Sequence, residues 1–108
     1  MSLRTESRDG RMVLHIDGEM SIYTAAELKA QLLPHLAQPG ELEIVLTEVS
    51  EIDSAGLQLL ILAKREATRI GASLRLSQHS RAVLELFDLC NLAAFFGDPL
   101  VLSHSPNN

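Results

Sequence analysis

The sequence is short of aromatic residues, cysteine and long apolar runs, and each shortage excludes a class of protein. Aromatic residues make up 4% of the 108 residues and tryptophan is absent, so a buried core must consist mainly of Leu, Ile, Val and Ala. The single cysteine, Cys90, excludes an internal disulfide and a cysteine-rich metal site, and it favours a reducing, cytoplasmic compartment. The longest apolar run, residues 57–63, is interrupted by Gln58 and is too short to insert across a bilayer.

Basic residues are also few, which bears on the partners of the protein. Nine Lys and Arg residues stand against 14 Asp and Glu residues, and the formal net charge is −5. Nucleic acid and anionic membranes are bound by basic surfaces, so neither is expected as a partner. The length fits one domain. We therefore expect a single domain over residues 1–108, with its core at about 11–102 between an N-terminal arm and a C-terminal tail.

The apolar pattern predicts strands that alternate with helices, and hence an α/β fold. Strands are predicted at 11–20, 42–46, 73–78 and 99–103, and helices at 23–37, 55–70 and 81–90, with a short apolar turn or helix at 91–97. Strand–helix–strand units favour parallel pairing with right-handed crossovers. An edge strand near either terminus is able to pair with a second copy, so the oligomeric state stays open.

The first predicted helix carries start signals and a buried stripe. Thr24 precedes Glu27 by three residues, the spacing of a capping box, and Tyr23 and Leu28 have the spacing of a hydrophobic staple. The apolar residues that recur every four positions along this helix are Leu28, Leu32 and Leu36.

The stretch SEIDSAGLQLL, residues 50–60, places polar residues at the mouth of a leucine-rich helix. Either Asp53 or Ser54 can cap this helix by accepting a bond from a backbone N–H, and the local pattern alone favours such a cap. An exposed serine at a helix start can also carry phosphate, because the free N–H groups and the helix dipole tolerate it. The phosphate would add roughly −1.5 to −2 charge beside Glu48, Glu51 and Asp53, and a partner packed there would meet bulk and repulsion. Gly56 either lets a partner's backbone approach or serves the turn.

A serine hydrolase is the weaker interpretation of Ser54. The sequence DSAG lacks the G-x-S-x-G elbow. The four histidines are predicted on a strand, a helix, a loop and the tail, at His15, His35, His79 and His104. Nothing brings one of them to Ser54, and their spacing is not that of metal ligands. Cys90 follows a leucine in an apolar segment, which favours a small core residue over a nucleophile. We expect no catalytic residue, metal or cofactor.

Three segments together resemble the STAS domain, the anti-sigma-factor antagonist family. They read GEMSIYTAAELKAQL, LEIVLTEVSEIDSAGLQLLILAKREATRIGASLRL and SRAVLELFDLCNLAAFF, and the resemblance spans about residues 11–102. It implies a small, largely parallel sheet, of mixed order at one edge, with helices packed mainly on one side. The DSAGL motif is the most specific part, and in the family its serine or threonine is the phosphorylation site, here Ser54.

The resemblance also implies a function and a set of partners. The unphosphorylated domain binds an anti-sigma factor that is also a serine kinase, phosphorylation releases it, and a PP2C-type phosphatase resets the switch. The implied partner-binding residues are Asp53, Ser54, Ala55, Gly56, Leu57, Ser21 and Thr24. Ser21 stands where the family often has an acidic residue. This departure indicates a partner of a different kind from the anti-sigma-factor kinase. The alternative function is a constitutive adaptor subunit of a lipid-transport ABC system or a chemotaxis-like signalling complex.

Overall fold

The structure is a computed structural model that describes residues 2–37 and 40–90. In this part the chain forms β1 (Ser2–Arg8), β2 (Arg11–Met20), α1 (Ala25–Leu36), β3 (Glu41–Val45), β4 (Val49–Ile52), α2 (Ser54–Arg69), β5 (Ser73–Ser77) and α3 (Arg81–Cys90). The predicted turn or helix at 91–97, the predicted strand at 99–103 and the tail lie outside the described residues. No helix of the described residues has the length and apolar character to cross a membrane.

The five strands form one mixed sheet in the order β1-β2-β3-β5, with β4 paired to the far end of β2. β2 pairs in parallel with β3 and β4, and β3 pairs in parallel with β5. β1 is antiparallel to β2 at the edge. A small, largely parallel sheet with mixed order at one edge is therefore confirmed, and its parallel strands deliver the chain to the same end of the sheet at Met20 and Ile52.

Two strands were not predicted from the sequence. The N-terminal arm that precedes the predicted core forms β1, because residues 2–8 pair with residues 11–17 of β2. These residues are mostly polar and exposed, so an edge strand of this kind shows almost no apolar alternation. β4 was included in a loop because it has only four residues, of which Val49 is buried.

The core lies between the sheet and the helices and is aliphatic, as the composition requires. Leu14 and Ile16 of β2 and Ile44 of β3 are fully buried in the same core cluster as the predicted α1 stripe of Leu28, Leu32 and Leu36. Further members from the other elements are Leu57, Leu60, Ala63, Leu74, Leu76, Val83 and Phe87. Leu14 and Ile16 of β2, and Leu74 and Leu76 of β5, are each two residues apart, so each pair points to the face of the sheet that the helices cover.

Three local predictions are wrong. The Thr24 side chain forms no cap bond to α1, because its hydroxyl is bonded within the loop that precedes the helix. Tyr23 is 90% exposed, so it cannot form a staple with Leu28. Cys90 is exposed at the end of α3 and is not a core residue.

The opposite face of the sheet carries one buried carboxylate. Glu43 of β3 is 6% exposed. Its Oε2 accepts a bond from the Ser77 hydroxyl at 2.5 Å, and its Oε1 lies 3.4 Å from the guanidinium groups of both Arg11 and Arg75. Burial alone would raise the pKa of Glu43, but the Ser77 hydroxyl and the two arginines outweigh it and leave this pKa below its ordinary value. The arginines therefore compensate a charge that would otherwise be costly to bury.

Candidate functional site

Asp53 organises the loop that enters α2. It has extended backbone geometry at the N-cap position, and its Oδ1 accepts bonds from the backbone N–H groups of Ala55 at 2.8 Å and Gly56 at 3.2 Å. A carboxylate at this position satisfies N–H groups that have no partner within the helix and complements the positive end of its dipole. The predicted cap is therefore confirmed, and Asp53 supplies it.

Ser54 follows as the first residue of α2 and is exposed. Because Asp53 provides the cap bonds to Ala55 and Gly56, the Ser54 hydroxyl is not needed to hold the helix start. The serine is thus exposed at the start of α2, and its phosphorylation stays a prediction.

Gly56 and Leu57 of the DSAGL motif are buried, whereas Ala55 is half-buried. A Cβ at Gly56 would lie 2.3 Å from the carbonyl oxygen of Met20, so the close backbone approach that Gly56 permits is between α2 and β2 of this chain. Leu57 is 7% exposed and belongs to the core. In the structure Gly56 packs against Met20 and Leu57 packs in the core, beneath the exposed Ser54. Partner contact by these residues stays a prediction.

The loop between β2 and α1 is held by a set of short-range bonds. Ser21 is 6% exposed, its hydroxyl donates to the Glu19 carboxylate, and it accepts a bond from the Tyr23 N–H at 3.1 Å. The Thr24 hydroxyl donates to the carbonyl oxygen of Glu19 at 2.8 Å and accepts from the Ser21 N–H at 2.9 Å. Ser21 and Thr24 therefore shape this loop from inside, and Ser21 has little surface left for a partner.

One side chain joins the two loops. The second carboxylate oxygen of Asp53, Oδ2, accepts a bond from the Ile22 N–H at 3.0 Å, and the Asp53 N–H donates to the Met20 carbonyl at 3.1 Å. The Ile22 N–H, followed by those of Gly56 and Ala55, stabilises the ionised form and holds the pKa of Asp53 below its ordinary value, against the opposing effect of partial burial. The two predicted segments, around Ser21 and around Ser54, are thus brought together as one surface.

Comparison with known proteins gives the family. A family model described as "Mlab, STAS domain" matches residues 3–102. The chain belongs to the STAS domain family. It is 29% identical over 92 residues to the anti-sigma-B factor antagonist of Bacillus subtilis (strain 168), a match that covers 85% of this chain and 84% of that protein.

Solved structures share the fold of this STAS domain. The crystal structure of an anti-sigma factor antagonist from Mycobacterium paratuberculosis superposes with a TM-score of 0.82 at 23% identity, over 93% of this chain and 86% of that chain. The antagonist SpoIIAA in its unphosphorylated form gives 0.69 at 17% identity, over 92% and 89%. The Bacillus SpoIIAA structure in the phosphorylated form gives 0.66 at 18% identity, over 92% of each chain. At these identities the likeness shows the fold, and it confirms the α/β architecture expected from the sequence.

Two residues of the STAS domain lie between the predicted partner-binding residues Ser21 and Thr24, but sequence reasoning did not single out their exposed side chains. Ile22 is 70% exposed and Tyr23 is 90% exposed, directly beside the Asp53 carboxylate that binds the Ile22 N–H. The sequence pattern had assigned Tyr23 to a staple because an aromatic residue before a helix is usually packed against its first turns. The only available signal was that Ile22 and Tyr23 interrupt a stretch of small and polar residues.

The histidines of the STAS domain have other roles. Nε2 of His15 on β2 lies 2.9 Å from a Glu6 carboxylate oxygen on β1. His79, in the loop before α3, is 2% exposed and packs edge-on against Phe87, with ring centroids 5.6 Å apart. His35 lies in the last turn of α1, and His104 lies outside the described residues. These positions belong to sheet pairing and core packing, which favours the structural interpretation of His15 and His79 over a catalytic one.

Proposed function

We propose that this STAS domain is an anti-sigma-factor antagonist that works by partner switching. With Ser54 unmodified it binds an anti-sigma factor that is also a serine kinase, in the cytoplasm. Phosphorylation of Ser54 by that kinase releases it, and a PP2C-type phosphatase restores the binding form. The proposal is supported by the family, by the antagonist named among its relatives and by the exposed serine of the DSAGL motif.

The observation that carries the proposal is the separation of the cap from the serine. The N–H groups of Ala55 and Gly56 are not free, as the sequence argument assumed, because Asp53 accepts their bonds. A phosphate on Ser54 would find these two donors already bound. It would therefore project from the helix end toward a partner rather than fold back onto the helix. A partner packed over Ser54 would have to accommodate this group and remove water from its charge, which is unfavourable in a close interface.

The fold of SpoIIAA has been solved in a phosphorylated and an unphosphorylated form. This supports the view that the STAS fold can carry a phosphate group. The domain itself contributes the acceptor serine, and the kinase supplies the ATP, so no catalytic residue is required of this chain.

The proposal is tested by affinity capture from lysate of the native cell. Wild type and Ser54→Ala should retain an anti-sigma-factor kinase, identified by mass spectrometry, and Ser54→Asp should retain about tenfold less, since each 1.4 kcal/mol of lost binding is about tenfold in affinity. Incubation with ATP should release the kinase from wild type but not from Ser54→Ala.

The matched control is Ser50→Ala, because Ser50 is another exposed serine, on β4. This variant should behave as wild type and should still gain the mass of one phosphate. Equal capture by the wild-type, Ser54→Ala and Ser54→Asp proteins would contradict the switch.

A constitutive adaptor subunit, of an ABC system or a signalling scaffold, is the second candidate. It is favoured by Ser21, which replaces a frequent acidic residue and whose hydroxyl is taken up by Glu19 and by the Tyr23 N–H. It predicts stable co-purification of a partner with no phosphate on Ser54. Intact-mass analysis of the protein from its native cell separates the two, since a phosphorylated fraction that disappears in Ser54→Ala excludes the adaptor.

A further inference from the structure

Ile22 and Tyr23 form an exposed apolar pair, here called the loop pair, next to the Ser54 loop. Their side chains are 70% and 90% exposed, although the sequence contains only one tyrosine and three phenylalanines. Large apolar residues exposed side by side are unusual enough on a folded surface to indicate an interaction site. Tyrosine is also among the residues that contribute most to protein interfaces.

Backbone hydrogen bonds hold the loop pair in a defined position. The Ile22 N–H is bound by Asp53 Oδ2 at 3.0 Å, and the Tyr23 N–H is bound by the buried Ser21 hydroxyl at 3.1 Å. The N–H groups of Thr24 and Ala25 both donate to the Ser21 carbonyl, at 3.0 and 2.8 Å. Because the backbone is already ordered, a partner that binds the pair loses little conformational entropy.

The chain segments next to the loop pair are rich in acidic residues. Residues 17–28, which end β2 and begin α1, and residues 48–58, which contain β4 and begin α2, hold six acidic residues and no lysine or arginine, and Lys29 follows on α1. The acidic residues are Asp17, Glu19, Glu27, Glu48, Glu51 and Asp53. Glu19 and Glu51 are register partners on β2 and β4, and the Glu48 carbonyl accepts a bond from the Gly18 N–H, so the strands that carry these acids lie side by side.

We propose that the loop pair is the apolar anchor of the partner surface, and that the partner is a protein with an apolar pocket bordered by lysine or arginine. Ile22 and Tyr23 fill the pocket, while Glu27 and Glu51 pair with the basic border. The inference rests on the proposed function for the identity of the partner, the anti-sigma-factor kinase. A second copy is a poor occupant, because two such surfaces would bring acids against acids.

The apolar part is tested with the kinase identified by capture, purified and titrated against variants of the unphosphorylated domain. Tyr23→Ala should weaken binding by about tenfold or more, and Ile22→Ala by about threefold to tenfold. Leu33→Ala, which shortens a partly exposed leucine on α1, should bind as wild type. Both loop-pair side chains are exposed, so their removal should leave the urea unfolding midpoint nearly unchanged.

The electrostatic part is tested by charge and salt. Glu27→Gln and Glu51→Gln should each slow association by about twofold to fivefold, and raising the salt concentration should weaken wild-type binding. Glu41→Gln is the matched control, because Glu41 is exposed but begins β3 beside Ser73, at the other end of the sheet. It should leave the association rate unchanged.

The outcomes separate the inference from the function on which it rests. Wild-type affinity in Tyr23→Ala together with weakened binding in Ser54→Asp would overturn the loop pair and leave the switch standing. No effect of salt and of the two glutamine variants would overturn the basic border. If the wild-type domain binds no anti-sigma-factor kinase, the proposed function and this inference both fall. A dimer in sedimentation that dissociates in Tyr23→Ala would instead assign the loop pair to a second copy and overturn the proposed partner.

Discussion

Replacing Gly56 by alanine tests the close contact between α2 and β2 that places Ser54. The added Cβ would lie 2.3 Å from the Met20 carbonyl oxygen, 2.8 Å from Met20 Cβ and 2.9 Å from Met20 carbonyl carbon. None of these atoms can rotate away, because all belong to the backbone or are fixed to it. To restore ordinary contact the start of α2 must withdraw from β2 by roughly 1 Å, which would disturb the Asp53 bonds to Met20 and Ile22.

Two effects of opposite sign decide how much Gly56→Ala changes the free energy of unfolding. Alanine is favoured over glycine inside a helix by about 1 kcal/mol. Overpacking against a fixed neighbour costs about 1–3 kcal/mol and occasionally more, and the short contact in this structure places it at the upper end. We therefore expect the free energy of unfolding to fall by about 2 kcal/mol, which lowers the melting temperature by roughly 10 °C in a domain of this size.

Urea unfolding at 25 °C, followed by circular dichroism, measures this change. Gln58→Ala is the matched control, since Gln58 is exposed two positions along the same helix and its replacement should alter stability by a few tenths of a kcal/mol. An unchanged slope with a lower midpoint indicates a true loss of stability. A Gly56→Ala protein as stable as wild type, or more stable, would refute the argument from backbone contact.

Three further predictions concern the cap, the sheet and the core. The lowered Asp53 pKa contributes stability above its unfolded value of 3.8, which is lost as the pH falls through the folded value. Asp53→Asn should lack this acid-dependent component in unfolding curves measured across pH. Glu43→Gln should lower the free energy of unfolding by about 1–3 kcal/mol. The ion pair with Arg75 contributes little to this loss, because Arg75 is exposed and solvent screens the pair. Leu60→Ala, at a fully buried site, should lower it by about 2–5 kcal/mol in urea.

The central elements of the fold were predictable because their burial repeats along the chain. The leucines of α1 recur every four residues and those of β5 every second residue, and such periods report which face of an element is buried. β1 escaped prediction because an exposed edge strand is held by backbone bonds to its neighbour, and backbone bonds leave no mark on the choice of side chains.

The candidate site was predicted in its parts and decided in its assembly. The local chemistry of the DSAG stretch favours a helix cap, and the family resemblance is what assigns a phosphorylation site to Ser54. Which of Asp53 and Ser54 caps the helix depends on distances that only the folded chain sets. Asp53 supplies the cap with Oδ1, and with Oδ2 it accepts a bond from the Ile22 N–H, 31 residues away in the chain.

What the sequence by itself determined was the aliphatic α/β core, the position of the DSAGL motif and the acidic character of the residues around Gly18 and around Glu51. Only the tertiary structure decided which motif residues face outward. Gly56 and Leu57 turn inward because α2 packs directly on β2, whereas Ile22 and Tyr23 turn outward because Ser21 and Thr24 take up the bonds inside their loop. Exposure is a property of the neighbours that surround a side chain, and in this domain those neighbours come from distant parts of the chain.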